Sequence, residues 1–174
     1  MTTPRLSLVL GGARSGKSRF ALERATAAGL DPVYVATAQA YDDEMRERIR
    51  LHRAERGGMA TVEAPIDLPA CLASEGRPGR ILLVDCLTLW LSNVMLADRD
   101  VAADADALVA ALDAVACPAV LVSNEVGMGI VPENALARRF RDAQGRLNQQ
   151  IAGLADEVVF VAAGLPLYLK RHAT

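Results

Sequence analysis

The chain has 174 residues, of which 52% are hydrophobic and 4% aromatic, and its formal net charge is -2. These values predict one globular domain, residues 1–174, whose core is built from aliphatic side chains. The small net charge gives no long-range attraction to nucleic acid or anionic lipid, and no apolar run approaches the roughly 18 residues that insert into a membrane. Because the N-terminus also lacks a signal-peptide pattern, we expect a cytoplasmic protein with reduced cysteines.

Short apolar runs alternate with stretches of helical periodicity along the chain. The predicted strands cover residues 6–10, 33–36, 81–84, 119–122 and 158–162, and the predicted helices cover residues 17–28, 42–56, 104–116 and 134–155. Continuous apolar strands that alternate with helices are typical of parallel sheets buried on both faces. The sequence therefore predicts an α/β fold with a mainly parallel central sheet flanked by helices.

The first strand leads into the segment GGARSGKS, residues 11–18, and a helix is predicted to follow. Gly11, Gly16, Lys17 and Ser18 match the phosphate-loop (P-loop) pattern G-x-x-x-x-G-K-[ST] in the strand-to-helix context that it requires. The glycines allow backbone N–H groups to face phosphate oxygens, and the helix start adds a positive dipole end. A chance match in a glycine-rich turn is the alternative. We expect this loop to lie on the surface.

Lys17 is one of two lysines in a chain with many arginines, the other being Lys170. A compact ammonium reaches the β- and γ-phosphates in a tight loop, whereas the planar guanidinium of arginine is wider and has its donors fixed in a fork. Ser18 offers a hydroxyl to a magnesium ion beside those phosphates. The loop therefore predicts nucleotide binding with Mg²⁺.

A second magnesium contact is predicted at Asp85, which directly follows the apolar strand 81–84. A carboxylate at such a strand end commonly holds the metal through water in phosphate-loop kinases and hydrolases. The alternative is an ordinary turn residue, since aspartate often follows a strand.

The charged segment 42–56 contains His52, one of two histidines in the chain. On a helix, Met45, Ile49 and His52 would form one stripe, with arginines and glutamates around the rest of the cylinder. A packed, hydrogen-bonded histidine is one interpretation. The other is an imidazole nucleophile that attacks phosphorus and forms a covalent phosphoramidate, with nearby arginines holding phosphates. Spacing alone does not choose between them.

Asn124 and Glu125 follow the strand near residue 122, and Gly127 and Gly129 follow them. Loops after the carboxyl ends of parallel strands line the ligand crevice, so this polar pair suits recognition of an acceptor or positioning of its hydroxyl. A capped turn leading into the helix after Pro132 is an equally good interpretation.

Taken together, these segments resemble one known family, the bifunctional adenosylcobinamide kinase / adenosylcobinamide-phosphate guanylyltransferases of cobalamin biosynthesis. The stretches that carry the resemblance span nearly the whole chain: GGARSGKS at 11–18, VYVATAQAYDDEMRERIRLHR at 33–53, VDCLTLWLSN at 84–93, VSNEVGMGIVPENALARRFRDAQGRLNQQIA at 122–152 and VAAGLPLYLK at 161–170. The first stretch alone indicates any phosphate-loop protein, whereas the ordered set is highly specific.

The resemblance implies a kinase that phosphorylates adenosylcobinamide with ATP or GTP, and a guanylyltransferase that transfers GMP from GTP to adenosylcobinamide phosphate. It implies that His52 carries the GMP covalently, that Lys17 is catalytic, that Ser18 and Asp85 hold Mg²⁺, and that the protein is a homo-oligomer, with a trimer suggested. The nucleotide-binding positions implied are Gly11, Gly12, Ala13, Arg14, Ser15, Gly16, Lys17, Ser18, Ala36, Thr37, Ala38, Arg53, Ala54, Glu55, Arg56, Glu63 and Asp85.

The chain departs from the family pattern around His52. Some members have a second histidine where this chain has Leu51, and many have R-P-x-x-W where this chain reads RGGMA at 56–60. Neither change removes a nucleophile, an acid or a phosphate ligand. Two other functions stay open on the residues alone: a different small-molecule kinase in which His52 is structural, and a nucleotide-dependent switch or motor acting on a macromolecule.

Overall fold

The computed structural model describes residues 3–39 and 58–171. Seven strands form one sheet in the order β3-β2-β4-β5-β1-β6-β7. The first six strands run parallel where they pair, and β7 pairs antiparallel with β6. The strands are β1 Leu6–Gly11, β2 Asp31–Ala36, β3 Ala60–Glu63, β4 Arg80–Asp85, β5 Ala119–Asn124, β6 Glu157–Ala162 and β7 Leu165–Lys170.

Five described helices cover the two faces of the sheet. They are α1 Lys17–Ala27, α2 Leu68–Glu75, α3 Leu87–Leu96, α4 Val101–Ala114 and α5 Ala135–Leu154. Ala21 and Ala25 of α1 pack against one face, in a cluster that contains Val120 and Val122 of β5. The other four helices bury their apolar stripes against the opposite face, where Leu121 lies. Successive β5 side chains thus alternate between the two cores, as the pleat of a strand requires.

The predicted α/β architecture is confirmed, and so are all five predicted strands, each extended by one or two residues. The helices predicted at 17–28, 104–116 and 134–155 are found with shifted ends, and the helix predicted at 42–56 lies outside the described residues. Within α5, Leu147 and Ile151 are buried as the periodicity indicates, but Leu136 is 50% exposed because the first turn of that helix lies beyond the core. Cys71, Cys86 and Cys117 are free and buried.

Four elements were missed. β3 is short and mostly exposed, so it carries no apolar run, and β7 is an edge strand whose leucines face outward. The β6–β7 turn places Ala163 and Gly164 at positive φ, 51° and 78°, which is the geometry of a two-residue hairpin turn. α2 and α3 are short apolar helices whose periodicity is hard to separate from that of buried strands.

Helix α3 begins directly after β4 and contains Trp90, the single tryptophan of the chain. Its ring is fully buried, and its Nε1 donates a hydrogen bond of 2.8 Å to the Ile66 carbonyl in the β3–α2 connection. Trp90 therefore fixes α3 against the connection that follows β3. In the described ranges, no helix combines the length and the apolar character needed to cross a membrane.

Candidate functional site at the carboxyl edge of the sheet

The carboxyl ends of the parallel strands meet at one edge of the sheet, and most of the predicted site residues lie along it. Gly11 ends β1 and is the register partner of Asn124, which ends β5. Asp85 ends β4, the next strand along, where it is the register partner of Ala36 at the end of β2. Ligands of open parallel sheets bind in the crevice outside these strand ends.

The segment 11–18 forms a compact loop between β1 and α1. The amide of Ser15 donates to the Gly12 carbonyl at 3.3 Å, and the amide of Phe20 in α1 donates to the Gly16 carbonyl at 3.0 Å. Gly16 has φ 95°, a left-handed conformation that glycine adopts without steric strain. A Cβ at Gly11 would lie 2.5 Å from the Ser15 hydroxyl oxygen and from the Val161 carbonyl oxygen. The loop thus needs glycine at both ends, as the sequence pattern predicts.

The turn between β6 and β7 supports this loop from outside. The amide of Gly164 donates to the Ser15 carbonyl at 2.8 Å, and a Cβ on Gly16 would lie 3.2 Å from Gly164 Cα. The close approach and a φ of 95° favour glycine at position 16, and a φ of 78° favours glycine at position 164. The antiparallel hairpin, which the strand pattern did not predict, thus borders the site.

The loop reaches the surface in part, where we expected it to lie on the surface. Ala13 and Arg14 are exposed, whereas Ser15 and Lys17 are each only 9% exposed. Lys17 Nζ donates to the Gly12 carbonyl at 3.2 Å, so the ammonium lies across the loop rather than in solvent. A buried charge with donors directed at the loop interior suits a site that receives an anion.

Ser18 offers a hydroxyl oxygen and Asp85 a carboxylate as ligands for Mg²⁺, and both residues are half-buried. The alternating β4 residues Ile81 and Leu83 belong to the α1-side core, so the Asp85 side chain projects toward the face that carries the loop. One hydroxyl and one carboxylate fit Mg²⁺, which keeps several waters and takes its other oxygens from substrate phosphates. In the described ranges there is no group of three or more His, Cys, Asp or Glu side chains that could enclose a metal.

The pKa of Cys86 responds to both Asp85 and Lys17. Burial and the Asp85 carboxylate raise the pKa of the Cys86 thiol to about 11, while the Lys17 ammonium acts in the opposite direction. Helix α1, which begins at Lys17, also packs against β4 and β5, so the loop lysine lies on the same side of the sheet as the strand-end acid.

The β2–β4 part of the edge is closed by internal hydrogen bonds. The fully buried Thr37 hydroxyl donates to the Cys86 carbonyl and accepts from the Cys86 amide, both at 2.7 Å. Asn93 Nδ2 donates to the carbonyls of Thr37 and Pro65 at 2.8 and 2.9 Å. These bonds fix the backbone after β2 to the start of α3.

The β1–β5 part of the edge differs, because two of its polar side-chain atoms have no partner. Ser15 Oγ and Asn124 Oδ1 are buried and form no hydrogen bond within the parts of the chain that the structure describes, and Gln144 Oε1 on α5, behind β5, is a third such atom. A buried acceptor left without a donor costs about 1–3 kcal/mol, a cost that folded proteins accept mainly at functional sites. The open hydrogen-bonding capacity therefore marks this part of the edge as the candidate site.

The residues implied by the family resemblance fall into two groups along the edge. The loop 11–18 and Asp85 form the first group. Ala36–Ala38 and Glu63 form the second, at strands that lie three and four positions from β1, or about 14 and 19 Å at the usual strand spacing. His52 and Arg53, Ala54, Glu55 and Arg56 lie outside the described residues, in the segment that joins β2 to β3.

Sequence reasoning missed the polar groups that support β5 from behind. The Ser123 hydroxyl donates to Asn148 Oδ1 at 2.7 Å and accepts from Gln144 Nε2 at 3.0 Å, and all three side chains are buried. Gln144 and Asn148 lie four residues apart on α5, on the same side as the buried Leu147 and Ile151. A polar i,i+4 pair on an apolar helix face was the available signal.

Comparison with known proteins identifies relatives over almost the whole chain. The family model described as cobinamide kinase / cobinamide phosphate guanyltransferase matches residues 7–169. A protein named bifunctional adenosylcobalamin biosynthesis protein CobP, from Pseudomonas aeruginosa, is 50% identical over 166 residues, covering 94% of this chain and 96% of the relative. The Escherichia coli protein named bifunctional adenosylcobalamin biosynthesis protein CobU is 40% identical over 179 residues, covering 94% and 98%.

Solved structures with similar folds include proteins that are distant in sequence. The RadB recombinase matches with a TM-score of 0.53 and 14% identity, covering 91% of this chain and 75% of that one. The flagellar accessory protein FlaH from Methanocaldococcus jannaschii matches with a TM-score of 0.51 and 14% identity, covering 97% and 79%. At these identities the likeness establishes the fold alone, which is the P-loop α/β fold that the sequence predicts.

Proposed function

This chain belongs to the cobinamide kinase / cobinamide phosphate guanyltransferase family, and we propose that it performs both reactions in sequence. It phosphorylates the aminopropanol hydroxyl of adenosylcobinamide with ATP or GTP. It then transfers GMP from GTP to adenosylcobinamide phosphate, which gives adenosylcobinamide-GDP and releases pyrophosphate. The observation that carries the proposal is the near-complete alignment, which includes both the phosphate loop and the segment that contains His52.

The first reaction uses the β1–β5 part of the edge together with Asp85 at the end of β4. The loop amides and the α1 N-terminus hold the phosphates, and Lys17 leaves the Gly12 carbonyl to contact the β- and γ-phosphates. Ser18 and Asp85 hold Mg²⁺, which supplies charge neutralisation on the phosphate oxygens when it is bound. The hydroxyl oxygen bonds to the γ-phosphorus while the bond to the β–γ bridging oxygen breaks, and the hydroxyl proton passes to solvent.

The second reaction uses His52 as the nucleophile. A neutral imidazole nitrogen bonds to the α-phosphorus of GTP as pyrophosphate leaves, and the substrate phosphate then attacks the same phosphorus and frees the histidine. Ala36–Ala38, Arg53–Arg56 and Glu63 belong to this guanylyl site. Two facts support the grouping: the segment with His52 joins β2 to β3, and Glu63 is the register partner of Ala36.

The hydroxyl of Thr37 supports this site rather than contacting the nucleotide. Its donor and its acceptor are both used on Cys86, and the side chain is fully buried. The backbone beyond Thr37 is thereby fixed where the chain leaves β2 toward His52. A backbone fixed at this point holds the start of the segment in one place relative to the end of β2.

A labelling experiment with the full chain tests the proposal against the two other functions. The protein is incubated with GTP labelled at the α-phosphate, denatured, and examined for label that is lost in acid and retained in alkali, as a histidine phosphoramidate requires. We expect such label and its transfer to adenosylcobinamide phosphate. A simple kinase or a nucleotide switch gives no protein label, and formation of phosphorylated corrinoid from ATP separates those two.

A further inference from the structure

Asn124 lies at the carboxyl edge of the sheet, between the phosphate loop and Asp85. It ends β5, the strand inserted between β1, which leads into the phosphate loop, and β4, which ends in Asp85. Its register partner is Gly11, and the next amide, that of Glu125, donates to the Gly11 carbonyl at 3.1 Å. The strand order therefore makes Asn124 the polar residue between the loop and the strand-end acid.

The side chain of Asn124 projects to the same face as the loop. Val120 and Val122 pack in the α1-side core, while Ser123 bonds to α5 on the opposite face. Because strand residues alternate, Asn124 follows the two valines onto the α1 side. The Asp85 side chain projects to that face as well, which is the face covered by α1, the helix that begins at Lys17.

The backbone of Asn124 is held on both sides. Its amide donates to the Thr88 hydroxyl at 2.8 Å, and its carbonyl accepts from Asn148 Nδ2 at 3.2 Å. Asn148 is itself fixed by Gln144 and Ser123 within the buried polar cluster behind β5. Support of this kind fixes a side chain in position for a ligand contact.

The carboxamide itself is not used by the fold. Its Oδ1 is buried without a partner in the described residues, although the residue as a whole is half-buried. The amide nitrogen of the same planar group forms no hydrogen bond among the described residues either, since the hydrogen bonds of Asn124 are made by its backbone. This nitrogen is a donor, and a phosphate group offers only acceptors.

We propose that Asn124 is a catalytic contact of the kinase site, with its Nδ2 donating a hydrogen bond to an oxygen of the transferring γ-phosphoryl group between Lys17 and Asp85. A neutral donor at this place stabilises charge on the γ-phosphoryl oxygens without competing with Asp85 for the metal. The group transferred and the bonds broken are those of the kinase step above, and Asn124 takes up no proton. The inference rests on the proposed kinase function and adds a residue to it.

The test compares how two adenine nucleotides bind to one protein, because GTP would also report on the guanylyl site. The dissociation constants of adenosine 5′-(β,γ-imido)triphosphate and ADP are measured by calorimetry with Mg²⁺ for the full chain and for Asn124→Asp and Asn124→Ala. Only the triphosphate has a γ-phosphoryl group. The ratio of the two constants compares ligands on the same variant, so partial unfolding cancels.

Asn134→Asp is the matched control, since it makes the same chemical change at an exposed helix cap that aspartate also satisfies. We expect the wild-type and the control to share one preference for the triphosphate, and Asn124→Asp to lose that preference by at least about 10-fold, because a carboxylate repels the γ-phosphate. The kinase rate of Asn124→Asp should fall roughly 100-fold, and that of Asn124→Ala by less.

Three outcomes overturn the inference. If both Asn124 variants keep the wild-type ratio, Asn124 does not contact the γ-phosphoryl group, while the proposed function stands. If Asn124→Ala shifts the Mg²⁺ dependence of the kinase rate as far as Asp85→Asn does, Asn124 acts on the metal's water instead. If the wild-type neither phosphorylates adenosylcobinamide nor distinguishes the two nucleotides, the proposed kinase function fails and the inference fails with it.

Discussion

The two parts of the sheet edge are built in opposite ways. At the β2–β4 part, Thr37 and Asn93 use their side-chain polar groups on backbone groups of the protein. At the β1–β5 part, Ser15 and Asn124 each keep a buried oxygen without a partner in the described chain. Hydrogen bonds made within the fold stabilise it, whereas those left open are available to a ligand. The comparison separates a part of the edge whose polar side chains are used within the fold from a part that keeps open hydrogen-bonding capacity.

The prediction with the largest expected effect asks whether the second reaction can be removed by a substitution that leaves the β1–β5 part intact. His52→Ala should abolish covalent guanylylation and the GMP transfer that depends on it, because no other nucleophile is proposed for that step. Phosphorylation of adenosylcobinamide should continue. Both are measured on the same preparation, with His172→Ala as the control for loss of a histidine. Label retained by His52→Ala would reject the assignment.

Lys17→Ala should lower the kinase rate by at least about 100-fold, because it removes the ammonium that stabilises charge on the β- and γ-phosphates. Lys170→Ala is the matched control, since Lys170 is the other lysine and donates to the Ala152 and Gly153 carbonyls at the end of α5. That control should keep the wild-type rate in a steady-state assay. Equal rates for Lys17→Ala and the wild-type would contradict the phosphate-loop assignment.

Asp85→Asn should reduce the kinase rate by roughly 10-fold at low Mg²⁺ and recover in part at high Mg²⁺, since the amide keeps the shape and loses the charge that orients the metal's waters. The measurement is a Mg²⁺ titration of the initial rate at saturating nucleotide. Identical titration curves for the variant and the wild-type would leave Asp85 as a turn residue, the alternative that its sequence allowed.

Asn93→Ala probes the internal hydrogen bonds of the β2–β4 part of the edge. It removes the donor shared by the Thr37 and Pro65 carbonyls from a buried site, and should lower the free energy of unfolding by about 2 kcal/mol. The kinase rate at saturating substrates should stay within about 3-fold of wild-type, a modest change beside the Lys17 effect. Denaturant unfolding and the rate are compared on one sample. A large rate loss without loss of stability would break the division of the edge.

The smallest effect concerns Cys86, where the two parts of the edge meet. Because burial and Asp85 raise the pKa of this thiol to about 11, the folded chain keeps a proton that the unfolded chain loses from about pH 9 upward. The thiol therefore favours unfolding as pH rises through this window, by about 1 kcal/mol at pH 10. Cys86→Ala should show a shallower fall in unfolding free energy between pH 9 and 11. Parallel curves would reject the raised pKa.

The sequence predicts the shape of the loop at 11–18 because the requirements there are local. Gly11, Gly16 and Lys17 are set by loop geometry and phosphate chemistry, which a short pattern records. The strand order is not local. That β5 lies between β1 and β4, and so brings Asn124 beside Gly11, depends on how helices pack over the sheet. Periodicity therefore predicts the strands but not which strand ends are neighbours.

The role of Thr37 shows a second limit. The family resemblance implies a nucleotide-binding position, and the structure shows a hydroxyl whose donor and acceptor are both used on Cys86, a residue 49 positions away in the chain. Such a long-range partner leaves no trace in spacing. The buried Gln144 and Asn148 did leave one, as an i,i+4 polar pair on the apolar side of α5.

Trp90 gives this chain an intrinsic optical probe at a useful place. As the single indole, fully enclosed and bonded to the Ile66 carbonyl, it reports the environment of α3 and the β3–α2 connection with no contribution from another tryptophan. Its emission should shift to longer wavelength when water reaches the ring. Fluorescence thus reports on the core that Trp90 shares with the sheet and its helices, and nucleotide turnover reports on the candidate site, so core and site can be followed on one sample.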